Sequence, residues 1–284
     1  MRKSNLLRSK VVFLCSIFNL IFFSTIAAHQ VVKKETDLSA TKITLTSAEK
    51  TWIENHQIIK IAGPRTFPPF HYFENGEDLK GISAEYIYAI MNQVGLKVEV
   101  QKDLPWPEVL KKAKTKKIDL ISCIAKTSER ETYLNFSNPY LSFPLVILSR
   151  KEGGFIGGIE DLHGKKLAII KKVSTLEWLK RDKIDFIPHY VNSPLDRLEA
   201  VSLGKADACI ENLAAASYLI QKNGLTNLKL AAPTPYGNHN FHMAVRKARP
   251  ELLSISNKTS DEITPEKHIQ VRTKLLTIGN EYAI

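Results

Sequence analysis

Arg130 is the side chain in this sequence whose type and setting point most directly to chemistry. It closes the run Lys126-Thr127-Ser128-Glu129-Arg130, where Thr127 is placed to cap a helix start whose backbone N–H groups suit an anion. A planar guanidinium at that place holds a carboxylate through two parallel charge-assisted hydrogen bonds. The competing reading is a surface ion pair with Glu129 or Glu131. Ser174 and Thr175 offer two hydroxyls at another helix start, again suited to an anion. Glu211 and Asn212 end a short apolar run, and consecutive residues at a strand end tend to face opposite ways. Aromatic residues near prolines supply an apolar counterpart. Phe67 and Phe70 flank a double proline that holds the backbone extended, Tyr72 follows, and Trp106 opens a helix between Pro105 and Pro107. Each of these rings is either a wall for a ligand or plain core.

Other chemistries find no support. The eight histidines show no ligand spacing and there is no CxxC pair, so neither a metal nor a cofactor is expected. A hydrolytic triad is not evident. Cys123 and Cys209 sit in the apolar runs 119–124 and 206–210, which read as buried strands carrying free thiols. The lysines at 111, 112, 114, 116 and 117 crowd one short helical stretch without interleaved stacking aromatics. They read as a solvated face, and no nucleic acid is expected as a partner.

The elements that would position these residues alternate. Strands are expected at 58–62, 98–101, 118–124 and 145–149, with helices at 81–94 and 107–116. A second series has strands at 166–170, 186–190, 208–210 and 228–231, with helices at 175–181, 194–203 and 213–221. Strands separated by helices of about ten residues imply right-handed βαβ units and parallel sheets. Two series imply two α/β lobes, and the glycine-rich stretch 153–158 is the strongest punctuation between them. A last strand at 239–245 and a helix at 250–263 have no assigned lobe. Thr46-Ser47-Ala48-Glu49 is a capping box that opens a short helix through about Asn55.

The chain has 284 residues, 44% hydrophobic and 24% charged, which excludes collagen-like, low-complexity and wholly disordered classes. A chain of this size buries roughly 75% of the surface its unfolded form exposes, so a core needs no disulfide or metal. Residues 1–28 read as a secretory signal peptide: Arg2, Lys3, Arg8 and Lys10 without an acid, an apolar run from Val11 to Ile26, then small residues at Ala27 and Ala28. The alternative is an uncleaved anchor. Loss of those four charges would take the chain from +11 to +7, which favours anionic ligands at long range. A polar tail is expected at 29–44 and the periplasm as the compartment.

Several runs occur together in order: Phe67-Pro68-Pro69-Phe70-His71-Tyr72, Leu79-Lys80-Gly81-Ile82-Ser83-Ala84-Glu85-Tyr86, Ile118-Asp119-Leu120, Lys126-Thr127-Ser128-Glu129-Arg130 and Phe136-Ser137-Asn138-Pro139-Tyr140. In these the chain resembles the bacterial extracellular solute-binding proteins of family 3. The likeness covers about 45–278. The opening 45–53 and the closing 263–266 resemble the sub-group also found as Venus-flytrap sensor domains of histidine kinases.

The resemblance implies a two-lobed α/β fold of the periplasmic binding protein type II, with two hinge strands and a ligand cleft between lobes. Lobe one would comprise 45–146 and 234–284, and lobe two 147–233. It implies a non-catalytic monomer that clasps a small carboxylate-bearing or amino-acid-like ligand for an ABC permease or a sensor kinase. A dehydratase-like enzyme on the same fold, or a stand-alone sensory module for a membrane kinase or cyclase, is the alternative. Arg130 would grip the ligand carboxylate, with Phe67, Phe70, Tyr72, Trp106, Lys126, Thr127, Ser174, Thr175, Glu211 and Asn212 around the ligand. Two departures stand out. Relatives that bind amino acids carry a Gly-Asp pair where this chain has Glu211-Asn212, so the charge that holds an α-ammonium has become an amide. The family's glycine before the lobe-two helix, near Val173, is also missing.

Overall fold

The first turn of the described chain is built by its own side chains. Thr46 Oγ1 accepts from the Glu49 N–H at 3.2 Å and Glu49 Oε2 accepts from the Thr46 N–H at 2.7 Å, closing the expected capping box on α1 (Ser47–Asn55). Glu49 also takes hydrogen bonds from Ser254 at 2.7 Å and Lys258 at 2.8 Å. Burial pushes its carboxyl up, but these bonds outweigh burial and hold its pKa at about 2. One acid therefore starts α1 and ties it to a helix 200 residues later. This computed structural model describes residues 43–74 and 78–277. The expected signal peptide and nearly all of the polar tail lie outside the described residues.

From α1 the chain runs through β1 (Ile58–Ala62), a small meander β2 (Thr66–Phe67), β3 (His71–Glu74) and β4 (Asp78–Lys80), then α2 (Ile82–Gln93), β5 (Lys97–Val100) and α3 (Trp106–Lys114). β6 (Leu120–Ile124), α4 (Ser128–Glu131), β7 (Leu134–Phe136) and β8 (Leu141–Arg150) follow. A short 3-10 turn leads to β9 (Lys166–Ile170), α5 (Ser174–Arg181), β10 (Ile187–Val191), α6 (Pro194–Ser202), β11 (Ala208–Asn212) and α7 (Leu213–Lys222). β12 (Leu228–Arg246), α8 (Pro250–Asp261) and α9 (Pro265–Thr277) close the chain. The strand order is β10-β9-β11-β8-β12-β6-β1-β5, with β7 beside β12. The flanking pairs β1/β5, β1/β6, β9/β10 and β9/β11 are parallel, as the alternation implied. The central pairs made by β8 and β12 are antiparallel.

Two differences from expectation matter for the site. The strands expected at 228–231 and 239–245 are one strand, β12, of 19 residues. Pro233, Pro235 and Gly237 read as breaks, yet β8 supplies a partner on both sides of them: Pro233 pairs with Val146, and pairing resumes at Asn238 with Pro144. Tertiary pairing overrides local propensity here, and the intervening residues bulge. The glycine-rich stretch 153–158, in turn, does not divide the chain. The Gly153 N–H turns back on the Arg150 carbonyl at 3.1 Å, and Ile156 is buried with Leu145, Ile147, Leu167 and Ile169. The passage between the two core regions is the paired β8 and β12.

One core region gathers Ile59, Ile61, Phe70, Ile82, Tyr86, Ile90 and Cys123 with Phe241, Met243 and Val245 from the end of β12. The other region lies on the two faces of the β8-β9-β11 sheet, with Leu145, Leu167 and Ile210 on one face and Leu198, Val201 and Cys209 on the other. β6 and β11 are buried along their whole length, as strands inside a sheet covered on both faces must be. Cys123 and Cys209 are free thiols in separate cores, with burial pushing both pKa values up to about 12.

The meander β2–β4 gave no clear sequence signal, and a glycine holds it. Gly81 has φ +108, and a Cβ there would sit 2.3 Å from the Phe70 carbonyl oxygen. With no side chain in the way, the Ile82 and Ser83 N–H groups donate to the Pro69 and Phe70 carbonyls at 2.9 Å each. The start of α2 thus fixes the Phe67–Phe70 turn.

Candidate functional site

Arg130 is carried by a single four-residue turn, α4, whose N-cap Thr127 accepts from the Arg130 N–H at 3.4 Å. The side chain leaves the surface entirely and is 2% exposed. The surface-pair reading fails because both neighbouring acids are taken: Glu129 pairs with Lys114 and Glu131 with Lys126, each at 2.8 Å. Lys126 consequently lies out on the surface and does not join Arg130.

The guanidinium bridges two parts of the chain. Nη1 donates to the nearby Ala125 carbonyl at 2.7 Å. Nη2 donates to the carbonyl of Lys172, 42 residues on, at 2.8 Å. Trp106 Nε1 donates to that same Lys172 oxygen at 2.9 Å, and its ring lies 5.4 Å from the Arg130 guanidinium, within cation–π range. Lys172 has φ +63 in the turn between β9 and α5, a left-handed setting. Glu177 on α5 stands 3.6 Å from Nη2. Burial lowers the Arg130 pKa and the Glu177 charge opposes that. The Arg130 Nε atom is buried without a partner.

The aromatics divide. Phe70 is fully buried and packs on Phe67, Phe143 and Phe241 with ring centroids 5.0 to 5.2 Å apart. Phe143 and Phe241 belong to the crossing strands β8 and β12, so Phe70 is core at the crossing and has no exposed face. Phe67 is buried in the same cluster. Tyr72 is half-buried. Its pKa rises to about 12 through burial first and then the influence of Tyr218.

On the β11 side the polar groups are satisfied among themselves. Glu211 Oε2 lies 3.0 Å from Arg197 Nη1, both side chains about 5% exposed or less, and Glu211 Oε1 accepts from the Asn212 N–H at 2.8 Å. Burial raises the Glu211 pKa, opposed by Arg197 and the Asn212 N–H. Its carboxylate is thereby turned to α6. Asn212 is fully buried and caps α7, with Oδ1 accepting from the Ala214 and Ala215 N–H groups at 3.0 and 3.3 Å. Its Nδ2 has no partner.

Ser174 and Thr175 are both buried at the start of α5. Ser174 Oγ is 3.4 Å from His239 Nε2. His239 was not among the expected site residues. It packs on Phe241 at 4.4 Å and Trp178 at 6.1 Å. Burial, with Arg130 and then Arg197 adding to it, depresses its pKa to about 3, so the ring is neutral and in electrostatic range of both arginines. Its Nδ1 is buried without a partner. The residue as a whole is only half-buried, but the ring nitrogens are enclosed.

Signals for the overlooked residues do exist. His239 is two residues from Phe241 on a strand and so shares its face. Arg197 lies beside Leu198 and Val201 on the apolar face of α6, where a buried charge demands a partner. Among the described residues no group of three or more His, Cys, Asp or Glu is placed to hold a metal, and no helix is long and apolar enough to cross a membrane.

The family model for bacterial extracellular solute-binding proteins, family 3, matches residues 59–273. The virulence sensor protein BvgS of Bordetella pertussis is 25% identical over 219 residues, which are 77% of this chain and 18% of BvgS. The chain thus spans less than a fifth of that relative. The probable amino-acid-binding protein YxeM of Bacillus subtilis is 30% identical over 215 residues, 74% of this chain and 80% of YxeM. The L-cystine-binding protein TcyJ of Escherichia coli is 25% identical over 208 residues, 72% and 77% of the two chains. In structure, the Bordetella pertussis BvgS periplasmic domain aligns with a TM-score of 0.75 at 24% identity, covering 82% of this chain and 46% of that one. An ancestral arginine-binding protein bound to arginine aligns at 0.70 and 23% identity, covering 77% and 98%. These likenesses carry the fold, a two-lobed α/β binding protein, as expected.

Proposed function

This chain belongs to the bacterial extracellular solute-binding proteins, family 3, and from that premise we propose that it clasps a small carboxylate-bearing ligand between its two halves. In this reading the halves are 45–146 with 234–284, and 147–233. Arg130 grips the carboxylate, Trp106 forms the apolar side with the Phe70 ring cluster as the core behind it, and Ser174, Thr175 and Asn212 supply polar groups from the other half. The observation that carries the reading is Arg130 itself. Its guanidinium is 2% exposed, reaches from one half to the Lys172 carbonyl of the other, and keeps a buried N–H without a partner. A buried cation with unmet donor capacity is stable only where an anionic acceptor completes it.

We further infer that the protein acts in the periplasm after export and is not an enzyme, delivering its ligand to an importer or presenting it to a sensor. The 25% identity to a virulence sensor over 219 residues favours the sensory variant, and the likeness to TcyJ over most of both chains favours delivery. Pull-down with an ABC permease and with a sensor kinase of the same organism separates the two.

The test of binding is a thermal-shift screen of the exported chain against amino acids, monocarboxylates and dicarboxylates. A ligand at 100 times its Kd stabilises by about 2.7 kcal/mol. The expected result is a shift with a carboxylate that Arg130→Ala loses. An equal shift in Arg130→Ala would contradict the reading.

A further inference from the structure

Resting on that reading of the cleft, we propose that its second pole recognises a neutral hydrogen-bond acceptor, so that the ligand class is a 2-oxo acid rather than an α-amino acid. Few atoms around Arg130 and across the cleft remain able to bind. Asn212 ends β11 and caps α7, and the first turn of α7 faces the other half, since Ala215 is part of the core cluster containing Phe70 and Phe241. The Asn212 amide is not symmetric in what it can offer. Its oxygen already accepts from the Ala214 and Ala215 N–H groups, whereas its Nδ2 is buried with no partner. What is left is a donor.

An ammonium needs acceptors, and the acids near this corner are committed. Glu211 directs one oxygen to Arg197 at 3.0 Å and the other to the Asn212 N–H at 2.8 Å. Glu177 lies 3.6 Å from Arg130 itself, beside the cation that would hold the carboxylate. On the polar residues named for the two poles, the other buried atoms without partners are Arg130 Nε, Arg197 Nε and His239 Nδ1, which are two more donors and a neutral imidazole nitrogen. An ammonium entering this set would lose its water shell beside two arginines and meet only carboxylates that already face those arginines. A ketone oxygen at the same place accepts from Asn212 Nδ2 and brings no charge.

The charge count limits the ligand further. Arg197 is paired directly with Glu211 at 3.0 Å, whereas Glu177 stands 3.6 Å from Arg130, beyond hydrogen-bond distance, so one cation is left to receive one carboxylate and nothing calls for a dianion. One carboxylate and one neutral acceptor fit the donors best.

The experiment is calorimetric titration of the wild-type chain and of Asn212→Asp with matched pairs that differ only in the α-substituent: alanine and pyruvate, leucine and 4-methyl-2-oxopentanoate, phenylalanine and phenylpyruvate, glutamate and 2-oxoglutarate. Aspartate caps a helix as well as asparagine, so the variant keeps its fold while the donor becomes an acceptor. Wild type should bind the oxo acid of at least one pair about tenfold or more tighter than its amino acid, because a site that leaves a polar group unpaired rejects the wrong partner strongly. Asn212→Asp should reverse the preference. Tighter binding of the amino acid by wild type, with Asn212→Asp changing nothing, would overturn this inference and leave the carboxylate reading standing. Binding of neither member in any pair would overturn the carboxylate reading and this inference together.

Discussion

Arg130 and the Arg197–Glu211–Asn212 group are both buried and both polar, yet they are wired in opposite ways. The Arg130 guanidinium bonds one carbonyl of its own half and one of the other half, and Trp106 follows it to the same Lys172 oxygen. The side-chain hydrogen bonds of the second group stay within 197–215: Arg197 to Glu211 and to the Ile210 carbonyl, Glu211 to the Asn212 N–H, Asn212 to the first turn of α7. The first centre therefore depends on how the halves meet, and the second is indifferent to it. A two-lobed binder has need of both kinds. One surface must change its partners as the lobes move, and the other must present a fixed pattern of donors.

The largest effect should come from breaking the self-contained group. Arg197→Ala leaves Glu211 as an unpaired buried carboxylate, a loss of about 3 to 5 kcal/mol, read by urea unfolding at pH 7. Removing both charges together, as Arg197→Met with Glu211→Leu, should recover most of it. A single-variant loss below about 1 kcal/mol would mean that the pair is solvated and that the contrast drawn above is wrong.

Acid should act on both halves through histidines held neutral. His71, fully buried against Ser122 at 2.8 Å in one half, and His239 at the crossing both have pKa values depressed by burial to about 3, from an ordinary 6.5. Below pH 6.5 the unfolded chain therefore binds more protons than the folded one, and stability falls as pH falls from 6.5 towards 3. Each histidine should cost about 1.6 kcal/mol between pH 6.5 and pH 5. His242, also depressed by burial, acts in the same direction. Unfolding curves that superimpose from pH 7 to pH 5 would rule this out. His71→Asn and His239→Asn measured over the same range divide the effect between the interior of one half and the crossing.

A smaller effect should follow from Trp106→Phe, which keeps the ring and removes one hydrogen bond across the cleft. The expected change in overall stability is about 0.5 to 1.5 kcal/mol. Hydrogen exchange should show faster opening at Lys172–Thr175 with β11 unchanged. A matching increase at β11 would show that the two centres are coupled rather than independent.

Much of the frame was legible from local rules. The alternation of strands and helices, the Thr46 cap and the buried character of β6 and β11 all follow from patterns shorter than about fifteen residues. The type of Arg130 also suggested an anion grip, and its neighbours Glu129 and Glu131 could be weighed at once. What escaped were arrangements made at long range. Nothing near Glu211 announces Arg197, fourteen residues earlier, which turns the carboxylate away from the cleft. Nothing in Pro233-Thr234-Pro235-Tyr236-Gly237 reveals that β8 pairs on both sides of it. Phe70 was readable as wall or core, and the rings of Phe143 and Phe241, distant in sequence, decided for core.

The central claim is that Arg130 receives a carboxylate between the two halves. The most direct measurement is a crystal structure of the chain grown with the tightest carboxylate from the thermal-shift screen. The account predicts carboxylate oxygens about 2.7 to 2.9 Å from the Arg130 guanidinium nitrogens, with Nε among the donors. A ligand bound elsewhere, with Arg130 still bonded only to the Ala125 and Lys172 carbonyls, would contradict it.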